Sequence, residues 1–229
     1  MQWRLLVLLW CGGTAHAQRG IKPATMTSSS DDALPREALR EVARTLYKVS
    51  PLKERKITLL KRFLGTTQGK RCLDCGSDNG VVSLFLRDDG AEWHSVDIDP
   101  GTVRAMQALL EHRVQRIDPR ALPFESEYFD VVAVVDLLEH VEDDGACASE
   151  LLRVLKPGGT LVVNVPNPIP GLVRALRHAL GQTDERHGHL RPGYSLAELD
   201  SLFGDGVERE ESLRYGRVAT ELLDTAVTG

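Results

Sequence analysis

The sequence predicts an α/β protein: a doubly wound, mostly parallel sheet between two layers of helices, a three-layer α/β/α arrangement. Three observations predict it. CLDC, FDVVAVVD and TLVVNVP are apolar nearly throughout, the pattern of strands covered on both faces in a parallel sheet. Segments with helical spacing separate them, so strand and helix alternate from residue 71 onward. The 229 residues suffice for one sizeable core, and 42% hydrophobic with 27% charged residues is an ordinary balance for a chain that folds in water.

The elements follow in order. MQWRLLVLLWCGGTAHAQ carries a basic Arg4, an apolar run from Leu5 to Trp10 and Ala15-His16-Ala17 before Gln18, the shape of a secretory signal peptide. The competing reading is a misassigned start, since Met26 opens an ordinary N-terminus; either way residues 1–25 read as a leader. Residues 26–65 hold N-terminal helices, broken at Ser50-Pro51. The main domain, 66–216, then runs strand CLDC, helix GVVSLFLRDDG, strand WHSVDI, helix TVRAMQALLEH, short strand VQRI and strand FDVVAVVD. A helix over 143–156 closes on LKPGG, read as stop signals, before strand TLVVNVP. PGLVRALRHALG reads as a helix, SLAELDSLFG as a helix opened by a Ser195/Glu198 capping box, VEREESLRYG as a sixth strand, and 217–229 as a C-terminal helix.

Ligands of such sheets bind at the carboxyl ends of the strands. The loop after the first of these strands, RCLDCGSDNG, is therefore decisive. Its Cys72 and Cys75 lack the second ligand pair of a structural zinc site, and positions i and i+3 of a strand face opposite ways. Its glycines, Gly76 and Gly80, lack the middle glycine of a dinucleotide fingerprint. Asp74 and Asp78 would repel a pyrophosphate, so a cationic or zwitterionic ligand suits the loop better. The net charge of −5 argues against sequence-independent nucleic-acid binding.

LDCGSDNG, SVDIDP, RIDPRALPFESEYFDVVAVVDLLEHV and ELLRVLKPGGTLVVNVP, in this order and spacing, resemble the class I S-adenosylmethionine-dependent methyltransferases, in the small-molecule branch with LEHV and RVLKPGG motifs. The resemblance implies a Rossmann-like fold, S-adenosyl-L-methionine as cofactor and a small-molecule acceptor such as a lipid, quinone-like or glycan-linked metabolite. It implies Asp74 on the methionine end, Gly76 and Gly80 in the loop, Asp97 on the ribose diol and Asp118 on the adenine amino group. Asp136 and Leu137 would sit near the transferred methyl, with Leu138 walling the cofactor and Ala121 and Leu122 lining the adenine face. Asp78 departs from the family's glycine. The family's sheet ends in a sixth and a seventh strand; only a sixth is visible, so the domain reads as C-terminally truncated.

His140 is the candidate general base, because imidazole titrates near neutrality. Arg186, His187, His189, Arg191 and Tyr194 follow the fifth of these strands and are candidates for substrate recognition, against a scaffold role. His187 and His189 have too few visible partners for a metal site, so none is expected. The chain is thus expected to be a cytoplasmic methyltransferase, or an exported protein if residues 1–17 are a signal. No nucleic-acid partner is expected, while membrane contact and oligomeric state stay open. The alternatives are a non-catalytic S-adenosylmethionine-binding protein and, less favoured by the acidic loop, a nucleotide-dependent oxidoreductase.

Overall fold

A computed structural model describes residues 2–10, 35–76, 78–168 and 189–216. The expected helices over 170–181 and 217–229 lie outside these residues, as do Arg186, His187 and the side chain of Asp78. Among the described residues seven strands form one sheet: β1 (Trp3–Trp10), β2 (Arg71–Gly76), β3 (Glu92–Asp97), β4 (Val114–Arg116), β5 (Phe129–Val135), β6 (Leu155–Pro166) and β7 (Val207–Tyr215). Their order is β4-β3-β2-β5-β6-β1-β7, and every pair is parallel. The order reverses between β2 and β5, which opens the crevice at their carboxyl ends.

The helices are α1 (Arg36–Val49), α2 (Pro51–Leu64), α3 (Val81–Leu86), α4 (Pro100–Leu110), α5 (Asp144–Val154) and α6 (Leu196–Phe203). Ser50 separates α1 from α2 and caps α2 by accepting from the Lys53 amide at 3.1 Å, with Pro51 at the first helical position. The Ser195/Glu198 capping box opens α6. Cys72 and Cys75 are both fully buried and point into opposite core layers, Cys72 beside Leu60 and Phe85, Cys75 beside Leu137 and Cys147.

Two expectations are corrected. LKPGG does not end the helix of 143–156 as a separate stop; α5 ends at Val154 and Leu155–Gly159 already belong to β6, with Leu155 opposite Phe129. The larger correction concerns the apolar run expected in a leader. Trp3–Trp10 is an interior strand, hydrogen-bonded to β6 on one side and β7 on the other. Leu5, Val7 and Leu9 enter one core layer, and Leu6, Leu8 and Trp10 the other. A strand covered on both faces must be apolar at every position, and so must the apolar segment of a signal peptide; periodicity does not separate the two. β1 also supplies the seventh strand that the C-terminal sequence did not show. Beyond it, β7 forms the edge, dressed with Glu208, Arg209, Glu210 and Glu211, charges that discourage further strand pairing.

Candidate active site

The turn leaving β2 is built on two positive-φ glycines. Gly76 has φ +90°, and a Cβ there would lie 2.0 Å from the Val135 carbonyl oxygen of β5. Gly80 has φ +87°, and its Cβ would stand 2.9 Å from the Met106 Cα of α4. Both are required because the turn presses against its own neighbours, a reason additional to any approach of a ligand. Asp74 lies inside the sheet rather than in the loop, fully buried. The Ser83 hydroxyl donates to one of its oxygens at 2.7 Å and the Ser95 hydroxyl to the other at 2.6 Å. Arg87 in turn donates to the Ser95 hydroxyl at 2.8 Å. Asp74 thus joins β2, β3 and α3 beneath the loop.

Asp97 ends β3 and is 8% exposed, its carboxylate accepting from the Asp99 amide at 2.8 Å. Burial pushes its pKa up to about 6 against the lowering effect of that hydrogen bond. Asp99 caps α4 by accepting from the Thr102 amide. After β4 the chain turns at Asp118, whose carboxylate accepts from the Arg120 amide at 2.9 Å and the Arg120 guanidinium at 3.0 Å. Arg120 holds this carboxyl below its usual range. Between these turns opens a cleft of about 910 Å³, lined by Ile98, Ile117, Asp118, Val141 and their neighbours. Leu122, expected on the adenine face, is instead packed in the core; Ile98, Ile117 and Val141 supply the apolar lining.

The carboxyl ends of β5, β6, β1 and β7 carry a second constellation. Asp136 has φ +50°, left-handed for a non-glycine residue. Its carboxylate is ion-paired with Lys56 of α2 and accepts from the Asn164 amide at 2.7 Å, and the Tyr215 hydroxyl donates to the Asn164 carbonyl at 2.7 Å. Lys56 also lies 5.7 Å from the Trp10 ring centroid. Lys56, Asn164 and Tyr215 are all buried. Sequence reasoning missed Lys56 and Tyr215; a lysine in α2 beside apolar residues was the one available signal, because burying it demands a counter-charge. Leu137 is 2% exposed and packs in the core behind Gly76, not along an open wall, and Leu138 is fully buried.

A single 3-10 turn, Leu138–His140, follows. Glu139 is fully buried, and burial followed by the nearby Asp136 charge raises its pKa well above the usual carboxylate range. The half-buried His140 ring meets the His189 ring edge-on at 4.6 Å between centroids. Residues 189–195 are tied onto this turn. The Leu190 amide donates to the Glu139 carbonyl at 2.9 Å, and Arg191 donates to the Val141 and Glu142 carbonyls at 2.8 and 3.1 Å. Arg191 also pairs with Asp144 and donates to the Tyr194 hydroxyl at 2.9 Å, which lies 3.1 Å from the Leu138 carbonyl. Arg191 and Tyr194, expected to recognise substrate, are therefore consumed by a clamp: Tyr194 is 4% exposed, and both side chains point at the chain's own backbone and at Asp144.

The seven-stranded parallel sheet with its crevice between β2 and β5 defines a Rossmann-like fold, whose ligands bind at the carboxyl ends of the strands. Comparison with known proteins narrows this. A family model described as a methyltransferase domain matches residues 73–163. A ubiquinone biosynthesis O-methyltransferase of Acinetobacter baumannii is 27% identical, over 81% of this chain and 88% of the relative. Another, of Idiomarina loihiensis, is 28% identical over 64% of this chain and 63% of its own length. The solved structure of phosphoethanolamine N-methyltransferase 2 of Haemonchus contortus, in complex with S-adenosyl-L-methionine, superposes with a TM-score of 0.52 at 24% identity, over 66% of this chain and 35% of that one. The comparisons place a methyltransferase domain of the S-adenosylmethionine-dependent kind within this chain, over residues 73–163. The cleft fits S-adenosylmethionine: its volume is in the range of small-molecule sites, its walls mix apolar Ile98, Ile117, Pro119 and Val141 with charged side chains, and carboxylates stand at the end of β3 and just past β4.

Proposed function

We propose that the chain transfers a methyl group from S-adenosylmethionine to a hydroxyl of a small molecule, a lipid, quinone-like or glycan-linked metabolite, in the cytoplasm. The observation that carries this reading is the alignment of Gly76, Asp97 and Asp118 at or just past the carboxyl ends of β2, β3 and β4, with Asp118 on the wall of the cleft. The O-methyltransferase relatives support the oxygen acceptor. Among the described residues no helix is long and apolar enough to cross a membrane.

When bound, the cofactor supplies a methyl group on a sulfonium, already a good leaving group. The chain's own part is placement. Gly76 and Gly80 shape the turn that receives the methionine end, and Asp74 holds that turn through Ser83 and Ser95. Asp97, when ionised, accepts from the ribose diol, and Asp118 accepts from the adenine amino group at the rim. Asp136 and Leu137 set the floor where β5 ends, and Lys56 neutralises Asp136 there. His140 takes the proton that the acceptor hydroxyl loses. Orientation of two bound reactants supplies the larger part of such an acceleration, on the order of 7–11 kcal/mol in favourable cases.

Calorimetric titration with S-adenosylhomocysteine tests the cofactor roles, with Asp97→Ala as the control. Turnover of a panel of phenols, hydroxylated lipids and glycans, read by release of S-adenosylhomocysteine, tests the acceptor. Binding without transfer to any acceptor would replace the enzyme by a non-catalytic binding protein of the same fold.

A further inference from the structure

Glu139 is the buried acid to which methyl transfer gives no task. Its side chain is fully buried, and neither carboxylate oxygen has a hydrogen-bond partner among the described residues. A carboxylate in that position calls for a cation or a donor. The groups around it include two imidazoles, beside Asp136, Lys56 and Arg191. His140 is its neighbour in the chain, and His189 arrives from 49 positions further on; one ligand atom from each of the three residues lies within 4.8 Å of the others. The arrangement is imposed from outside the cluster: the Leu190 amide grips the Glu139 carbonyl, and Arg191 grips those of Val141 and Glu142, so His189 is carried to the turn by backbone contacts.

We propose that Glu139, His140 and His189 form a binding site for one divalent transition-metal ion, with zinc the best match. Two imidazoles and one carboxylate suit zinc and its first-row neighbours, whereas magnesium and calcium favour all-oxygen sites. Ligands on a tetrahedral zinc stand about 3.4 Å apart at bonds of about 2.1 Å, so the three residues need to draw in by at most about 1.4 Å. Three protein ligands leave a fourth position for water or an oxygen of a bound molecule. Occupancy turns His140 from a proton acceptor into a ligand. The site stands independently of the methyl-transfer reading and is tested without the cofactor.

The full chain, stripped with a chelator, is titrated with Zn2+ against a zinc-binding dye, and Co2+ is added separately as a spectroscopic probe. Expected are one Zn2+ per chain at micromolar affinity or tighter, a rise in thermal midpoint, and a visible Co2+ absorption band. Glu139→Gln and His189→Ala, each checked for folding by circular dichroism, are expected to lose the Co2+ band and to weaken Zn2+ binding by about 100-fold or more. Folded variants that bind Zn2+ as tightly as the parent overturn the proposal. So does a parent chain that binds it only at millimolar concentration or shows no Co2+ band, a result that needs no variant to fold. Retained S-adenosylhomocysteine binding beside absent metal binding would sink this site alone.

Discussion

The two halves of the strand-end crevice are built on different principles. On the side of β2, β3 and β4 the polar groups are acids on successive turns, Asp97 buried at the end of β3 and Asp118 on the wall of an open cleft. On the side of β5, β6, β1 and β7 they come from remote parts of the chain: Lys56 with Asp136, Asn164 with Tyr215, Glu139 with His140 and His189. The polar groups of the first half are met by near neighbours in the chain, Asp99 and Arg120; those of the second are met by residues far away in it. Changes on the first side should alter binding at nearly constant stability, and changes on the second should alter stability first.

The sharpest way to break that contrast is to remove β1. Deleting residues 2–10 takes an interior strand from between β6 and β7, and β7 pairs with no other strand among the described residues. Loss of cooperative unfolding is expected, read by circular dichroism and size exclusion, and a chain beginning at Met26 should behave the same way. A well-folded Met26 chain would show that the sheet does not need β1. Within the strand, Leu8→Ala is expected to lower stability by about 2–5 kcal/mol, as for other fully buried leucines.

Lys56→Met comes next. It leaves Asp136 buried without its counter-charge, and about 3–5 kcal/mol of destabilisation is expected in urea unfolding, largely restored by adding Asp136→Leu. If the single and double variants were equally unstable, Lys56 would act through packing rather than charge. On the open side, Asp97→Asn should weaken S-adenosylhomocysteine about 10- to 100-fold, the range of a hydrogen bond to a charged group, while the thermal midpoint holds or rises.

The smallest effect concerns pH. With its pKa raised to about 6, Asp97 is ionised above that value and accepts hydrogen bonds best there. Affinity for S-adenosylhomocysteine should be level above pH 7 and fall as pH drops below 6, by about tenfold per unit if only the ionised form binds. Asp97→Asn should abolish that slope. The stability linkage has the opposite sense: the folded chain holds this proton more tightly than the unfolded one, so the contribution is full below about pH 4 and is lost as pH rises through about 6. An unchanged pH slope in the variant would assign the titration to another group.

The legibility of the two halves differs for the same reason that their chemistry does. Gly76, Asp97 and Asp118 each stand at or next to the end of a strand of their own, so local pattern located them with no knowledge of packing. Ser50 as the cap of α2 and the capping box at Ser195 were equally local. Arg191 and Tyr194 stay open between a ligand and the scaffold in the sequence, because polarity does not say whether the partner is a ligand or the chain's own carbonyls.

The sequence by itself determined that strands and helices alternate, that the strands lie in a parallel sheet covered on both faces, and which acids follow them, because these depend on periodicities of two and of 3.6 residues and on neighbours in the chain. Only the tertiary structure decided that Trp3–Trp10 is a strand between β6 and β7, that Lys56 answers Asp136, and that His189 meets Glu139 and His140. Each of those is a pairing between residues far apart in sequence, and an apolar run or a buried charge states its need for a partner without stating which partner will meet it.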